Sequence, residues 1–339
     1  DFMRTKILGR TGIEVSIVGL GAATLGMPDT TRSMDLQYGP KGDGRNCMDE
    51  SQGMETIIEA IKAGVTLIDT APWYGNGTSE RIIARVFRER PEFKKMCLVT
   101  TKVGHHYQGD DFDFSYDAVM RSVDDSQKRL EQNQFPVLYL HDPMGQDMKF
   151  VMSRKGAFGA LQKLKRLGIT KAIGVAANDP ETNADYIETG EFDAAVIPKC
   201  WNLVNQLALK RILPAAIKHN VGLVCASPLE RGLLVTGPLE GVSYFGREHP
   251  QGCLDQVRKI KKLCLKHNIP LAAVALQWCT RHPQVAAVIP GAAFPNESRQ
   301  NTEAGNYEIP KEFWKELEPL IRHWDIPGID GNVNPSTPR

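Results

Sequence analysis

Asp69, Tyr74, Lys102 and His141 are an acid, a phenol, an ammonium and an imidazole, and each stands at or just past the end of a short apolar run. The first run, 65–68, follows Gly64 and leads into Asp69-Thr70-Ala71-Pro72-Trp73-Tyr74-Gly75-Asn76-Gly77. The second, 97–101, ends on Lys102, and the third, 137–140, ends on His141. Apolar runs of this length, bounded by turn residues, read as buried strands. Asp69 and Tyr74 are separated only by a Pro-containing turn, so both side chains can reach one strand end, where core gives way to solvent. The chemistry on offer is charge pairing between complementary ionisable groups, because an aspartate in that position needs a partner.

Each residue also has an ordinary structural reading. Asp69 can cap its turn, Tyr74 can be a half-buried aromatic with a wet hydroxyl, Lys102 a solvated lysine and His141 a satisfied core histidine. Their joint occurrence at three successive strand ends favours the functional reading.

The elements that must position these groups alternate along the chain. Residues 5–8 and 14–16 flank Gly9-Arg10-Thr11-Gly12 and predict a hairpin within 4–16. Strands are expected at 17–20, 65–68, 97–101, 137–140, 171–175, 194–197, 222–225 and 286–289. Helices are expected at 54–63, 79–88, 116–130, 158–167, 180–189, 207–219, 255–267, 272–280, 297–304 and 311–323. Eight strands alternating with amphipathic helices indicate a single α/β domain over 1–339, a (β/α)8 barrel of the TIM type with an N-terminal hairpin and extra C-terminal helices. A doubly wound open sheet is the alternative layout. In a barrel, Asp69, Lys102, His141, Asn178, Ser227 and Gly291 would all face one another at the carboxyl ends of the strands. Segment 28–53 reads as a long inserted loop, 235–252 as another, and 325–339 as a loop or tail; these are expected to shape a pocket.

Composition narrows the classes. The chain has 339 residues, 42% hydrophobic and 24% charged, with 41 Lys plus Arg against 40 Asp plus Glu, an ordinary balance for a soluble globular protein. No basic run carries interleaved aromatics, so nucleic acid is not an expected partner. Seven cysteines form no Cys-x-x-Cys pair and read as reduced core thiols. No apolar stretch is long enough to span a bilayer and no signal-like segment is visible, so a cytoplasmic location without membrane contact is expected. Gly19-Leu20-Gly21-Ala22-Ala23-Thr24 misses the dinucleotide glycine signature in its sixth residue, and Pro28-Asp29 follow in place of a helix. His105-His106 suggest metal ligands, but no third ligand at zinc spacing accompanies them, so no metal is expected. Oligomeric state is not legible.

Asp69-Thr70-Ala71-x-x-Tyr74-Gly75, Thr101-Lys102, His141, Ser227-Pro228-Leu229 and Val288-Ile289-Pro290-Gly291 together resemble the aldo-keto reductase superfamily over nearly the whole chain. Asp69-Thr70-Ala71-Pro72-x-Tyr74-Gly75-x-Gly77 and the region from Leu271 to Ala292 look most like its NAD-linked aldose and L-galactose dehydrogenases. The resemblance implies a catalytic tetrad of Asp69, Tyr74, Lys102 and His141. Tyr74 would move the proton that accompanies hydride transfer between nicotinamide and a carbonyl carbon. Lys102 would favour the phenolate of a group whose free pKa is about 10. Asp69 would hold Lys102, and His141 would orient the substrate oxygen. Trp73, Trp201 and His105 would line the side where a small-molecule carbonyl or alcohol binds.

The same resemblance implies cofactor contacts from Gly21, Ala22, Asp69, Asn178, Ser227, Leu229, Gly291, Glu297 and Asn301. Three positions depart from the family pattern. The usual Ser-Asn pair is Ala176-Ala177-Asn178, the usual glutamine of the sixth strand is Pro198, and the aromatic that stacks on nicotinamide is Ala226, which leaves Trp201 as the expected cover. Gly291 and Glu297 stand where NADPH-preferring relatives carry a lysine and an arginine, so NAD is expected over NADP; Arg299 is the residue that could reverse this. The expected reaction is NAD-dependent oxidation of an aldose or similar polyol at the anomeric carbon. The alternatives are an NADPH-dependent aldehyde or ketone reductase, a non-catalytic cofactor-sensing partner subunit, and an unrelated barrel isomerase or lyase.

Overall fold

The strand segments are apolar on both faces rather than in alternation, as parallel strands are when helices cover one side and packed side chains fill the other. The computed structural model describes residues 3–25, 50–106, 112–242, 244 and 247–326. A two-stranded antiparallel hairpin comes first, β1 (Thr5–Ile7) against β2 (Glu14–Ser16), in the register Thr5 to Ser16 and Ile7 to Glu14. Then β3 (Leu20–Gly21), β4 (Leu67–Asp69), β5 (Leu98–Val103), β6 (Phe135–His141), β7 (Thr170–Ala176), β8 (Ala194–Pro198), β9 (Gly222–Ala226) and β10 (Val285–Ile289) pair in sequence order, all parallel. The ring is completed by parallel bridges from Val18 to Val288 and from Gly21 to Gly291. This is the expected (β/α)8 barrel, and the open-sheet alternative falls.

The outer layer consists of α1 (Glu50–Lys62), α2 (Thr78–Glu89), α3 (Tyr116–Leu130), α4 (Met148–Val151), α5 (Ala157–Arg166), α6 (Pro180–Glu188), α7 (Ile212–His219), α8 (Leu233–Thr236), α9 (Gln251–Lys266), α10 (Leu271–Arg281), α11 (Pro295–Asn306) and α12 (Lys311–Leu317). Helix α3 spans the residues expected of it, because Ser115 caps its start by accepting the Ala118 N–H at 3.4 Å and Glu131 ends it in the left-handed conformation.

Some boundaries differ from expectation. The first strand, expected over 17–20, is regular only at Leu20–Gly21, where its backbone runs so close to its neighbours that a Cβ on Gly19 would lie 2.8 Å from the Leu67 carbonyl oxygen. Helix α1 begins a turn earlier than expected, at Glu50, an acid suited to a helix start. The rest of the expected 28–53 loop, and the tail from 327, lie outside the described residues. The helix expected over 207–219 is a 3-10 turn, Leu207–Leu209, followed by α7, with Arg211 out of helical conformation between them. The helix expected over 311–323 stops at Leu317, and Pro319, which cannot continue an α-helical hydrogen-bond ladder, lies in a 3-10 turn.

The hairpin covers the end of the barrel where the strands begin. Leu8, Ile13 and Val15 are buried in one cluster with Leu67, Val137, Ala172, Ala194 and Val224 from the barrel interior. Ser16 and Thr66 tie it down, each backbone N–H donating to the other's hydroxyl at 2.8 and 2.9 Å. Above this floor lies the fully buried ring of Tyr139, so close to β7 that a Cβ on Gly174 would sit 2.4 Å from it. The interior at this end is therefore filled with side chains. Six cysteines are free and buried, as expected of core thiols; Cys47 lies outside the described residues.

Candidate active site

Strand β4 ends on Asp69, and the chain leaves it through Pro72 into a turn in which Gly75, Asn76 and Gly77 all have positive φ, at 58°, 51° and 80°. Two glycines and an asparagine are the residues that adopt this conformation at least cost. The turn is pinned from behind, where the Thr70 and Ser79 hydroxyls lie 2.8 Å apart and Ser79 Oγ donates to the Ala22 carbonyl at 2.9 Å. The result is that Tyr74 is held over the end of the strand it follows.

Lys102, on β5, extends beneath it. Its Nζ donates to Asp69 Oδ2 at 2.5 Å, to the Thr70 carbonyl at 2.8 Å and to the Tyr74 hydroxyl at 3.1 Å, which uses all three ammonium donors. Asp69 Oδ1 accepts from Thr100 Oγ1 at 2.8 Å. Burial works to lower the lysine, and Asp69 and Tyr74 outweigh it, so its pKa stands above the ordinary value. For Tyr74 burial raises the pKa and Lys102 lowers it, and the net shift is upward. The lysine thus acts in the expected direction, favouring the phenolate, but desolvation of the phenolate is larger.

His141 ends β6, its ring 5.9 Å from that of Tyr74 and nearly perpendicular to it. Burial first, then Lys102 and His105, hold its pKa well below the usual range, so it is a neutral imidazole. His105 lies 5.2 Å from His141 and between two aromatics, Phe112 at 4.1 Å and Trp73 at 4.9 Å. The fold therefore brings Trp73 and His105 to the tetrad.

Trp201 is not brought there. Its indole N–H donates to the Cys279 carbonyl at 3.1 Å and its ring packs on Trp278 at 4.6 Å and on His282, which turns it into α10 and away from the tetrad. Its expected roles as ligand wall and nicotinamide cover are corrected accordingly.

Gly21 and Gly291 face each other across the seam that closes the barrel, beside fully buried Ala22, and a Cβ on Gly291 would meet Thr24 Cγ2 at an uncrowded 3.8 Å. Ser227 follows β9 with a φ of 55°, and Leu229 lies two residues on. Asn301 donates from Nδ2 to the Gly291 carbonyl at 3.4 Å. Glu297 folds back on the start of its own helix, its Oε2 accepting the Ala293 N–H at 2.7 Å and the Phe294 N–H at 3.3 Å. Arg299 pairs with Glu59 at 3.0 Å.

Two groups escaped the sequence reading. Glu80, given no role from the sequence, is fully buried, accepting from Thr101 Oγ1 at 2.7 Å and pairing with Arg129 at 2.5 Å, and so fixes β5 next to Lys102. Asp142, directly after His141, has a φ of 51° and is buried. Its Oδ1 accepts the Asn178 N–H at 2.8 Å, and its Oδ2 lies 3.3 Å from Asn178 Nδ2, 3.6 Å from His141 Nε2 and 3.9 Å from His105 Nδ1. The signal was a carboxylate adjoining the histidine, with Pro143 after it. Asp142 also supplies the third ligand-type group missing beside His105 in the sequence: with His105 and His141 it forms a buried set whose ligand atoms all lie within 4.8 Å.

The parallel eight-stranded barrel thus brings an aspartate, a tyrosine, a lysine and a histidine together at its strand ends, around one buried ammonium. Residues 35–322 match the Aldo/keto reductase family, and the chain belongs to it. It is an NAD(P)-dependent oxidoreductase. Its relatives include pyridoxal 4-dehydrogenase of Microbacterium luteolum, 29% identical over 92% of this chain and 96% of that protein. D-threo-aldose 1-dehydrogenase of a Pseudomonas species is 28% identical over 83% of this chain and 92% of that protein. L-galactose dehydrogenase of Arabidopsis thaliana is 28% identical over 93% of both. Among solved structures, an aldo-keto reductase of Bacillus halodurans in its holo form superposes with a TM-score of 0.74 at 22% identity, covering 94% of this chain and 97% of that one. Among the described residues, no helix is long and apolar enough to cross a membrane.

Proposed function

We propose that the chain oxidises an aldose or a similar polyol at the carbon bearing the anomeric hydroxyl, with NAD as the preferred cofactor. The observation that carries the chemistry is the single ammonium of Lys102 bound at once to a carboxylate, a carbonyl and the Tyr74 hydroxyl. Tyr74 exchanges the proton at the substrate oxygen, and Lys102 stabilises the phenolate whenever that proton has left. Asp69 keeps the ammonium charged and in place. Neutral His141 donates a hydrogen bond to the same oxygen and orients it. Sugar substrates are supported by the polar character of the groups around His141 and by the names of two relatives, an aldose and a galactose dehydrogenase.

The bound dinucleotide supplies the hydride acceptor. The donor set fits such a group: Asn178 offers an amide for the carboxamide, Ser227 and Leu229 a hydroxyl and backbone amides for the diphosphate, and Gly291 and Asn301 an uncrowded surface and an amide for the adenosine. NAD is favoured over NADP because Gly291 brings no charge, Glu297, turned onto the start of its own helix, supplies no cation, and Arg299 is engaged by Glu59.

A panel of aldoses, aldehydes and ketones with both cofactors, followed by the absorbance of the reduced nicotinamide, tests the reading. Aldoses with NAD should give the highest kcat/KM. The reductase reading replaces it if simple aromatic aldehydes with NADPH outperform every sugar by a wide margin. A Gly291→Lys, Glu297→Arg double variant should move the NAD to NADP ratio toward NADP by tenfold or more, on the order of one charge-assisted contact.

A further inference from the structure

Asp142 is a buried carboxylate that none of the tetrad roles uses, and its two oxygens are unequally engaged. Oδ1 is taken by the Asn178 backbone N–H at 2.8 Å, whereas among the described residues Oδ2 has only the longer hydrogen bond from the Asn178 side-chain amide at 3.3 Å. Oδ2 is also the oxygen that faces His141 Nε2 and His105 Nδ1, at 3.6 and 3.9 Å. It therefore presents acceptor capacity beside the imidazole that orients the substrate oxygen.

With two histidines at this distance, a divalent cation is one conceivable occupant. The field argues against it, since the ammonium groups of Lys199 and Lys102 both act on Asp142, and Lys102 acts on His141 as well. A neutral hydrogen-bond donor meets the same oxygen without that repulsion. The donor nearest to the reacting carbonyl in a sugar is the hydroxyl on the adjacent carbon.

We propose that Asp142 is a specificity-determining residue, its Oδ2 accepting a hydrogen bond from a hydroxyl on the carbon next to the one that is oxidised or reduced. This rests on His141 orienting the substrate oxygen, and it deepens the polyol reading by naming which hydroxyl is read. A buried acceptor that is left unpaired by a substrate lacking that hydroxyl penalises it, which is how polar sites reject deoxy analogues more strongly than apolar sites reject extra methylenes.

The test uses aldehyde pairs differing only at that carbon, glycolaldehyde against acetaldehyde and glyceraldehyde against propionaldehyde, in the reductive direction, alongside aldoses and their 2-deoxy forms in the oxidative one. The parent should favour the hydroxylated member by about 10- to 100-fold in kcat/KM, the usual worth of a hydrogen bond to a charged group. Asp142→Asn keeps an oxygen for the Asn178 N–H, and Asp142→Gly suits the left-handed backbone; cofactor binding, read by fluorescence, monitors that each is folded. In both variants the ratio within each pair should fall toward unity. Absence of a preference in the parent, or a preference that survives both substitutions, overturns the proposal. Failure of the polyol reading shows separately, as no oxidation of any aldose, and the aldehyde pairs decide on Asp142 in that event too.

Discussion

Two lysines at opposite ends of the barrel each donate three hydrogen bonds and have opposite electrostatics. Lys6, on the hairpin, donates to the carbonyls of Thr280, His282 and Val285 at 3.0, 3.0 and 2.5 Å, and burial lowers its pKa. Lys102 donates to a carboxylate, one carbonyl and a phenol, and its pKa is raised. Neutral carbonyls hold a lysine in position; only an anionic partner also secures its charge against desolvation. The end where the strands begin is thus built to join β1 to the start of β10, while the end where they finish is built to keep one phenol beside one lysine held charged.

The comparison breaks most sharply at Tyr74. Replacing it with Phe removes a single hydroxyl, so turnover should fall by ~10²–10⁴ while cofactor affinity, measured by fluorescence titration, stays near that of the parent. Full turnover in that variant would remove the phenol from the mechanism.

Next in size is Lys102→Met. It leaves Asp69 buried without its cation, which should reduce stability by ~3–5 kcal/mol in denaturant titration. Losing the positive charge also pushes Tyr74 further up, so the alkaline limb of the rate profile should move to higher pH. The corresponding change at the other end, Lys6→Met, should cost about 1–3 kcal/mol through unpaired carbonyls and leave kcat within a factor of two. Equal catalytic losses from the two lysines would erase the distinction between the ends.

An effect on stability alone is expected as a pH slope at Asp142, whose carboxyl burial raises from 3.8 to about 6, against the opposing pull of Asn178, Lys199 and Lys102. His141 and His105 face the same carboxylate from β6 and from the segment after β5. The folded protein then binds this proton more readily than the unfolded chain. Its contribution is greatest below about pH 4 and declines as pH rises toward 6, by on the order of 2–3 kcal/mol. Asp142→Asn should lack that decline, and parallel urea titrations at pH 4.5 and 7.5 would reveal an identical slope if the carboxylate is not what titrates.

Much of the upper end was legible because the chain there is governed by short-range rules. Apolar runs ending on Asp69, Lys102 and His141 marked strand ends, and a barrel turns strand ends into neighbours. What lay beyond was the direction of a side chain once its strand had finished. Trp201 follows β8 by three residues, enough for the chain to turn it into α10. Glu297 carries the charge that suggested a ribose contact, but a carboxylate at the third helical position also reaches its own helix start, and in the structure it does. Asp142 follows β6 and Asn178 follows β7, so their pairing is set by the shear of the sheet and leaves no local mark.

The seam between β3 and β10 has a temporal consequence. Gly21 N donates to Pro290 O at 3.1 Å and Gly19 N to Val288 O at 2.8 Å, so the first strand of the ring finds its second neighbour only after all the other strands of the ring have been made. Such distant pairing is reached late, since loop-closure entropy is lost before any contact rewards it. During synthesis the earliest strand must wait with one edge bare, and the rim on which the adenosine end of the cofactor is expected to rest is the last part of the site to come into being.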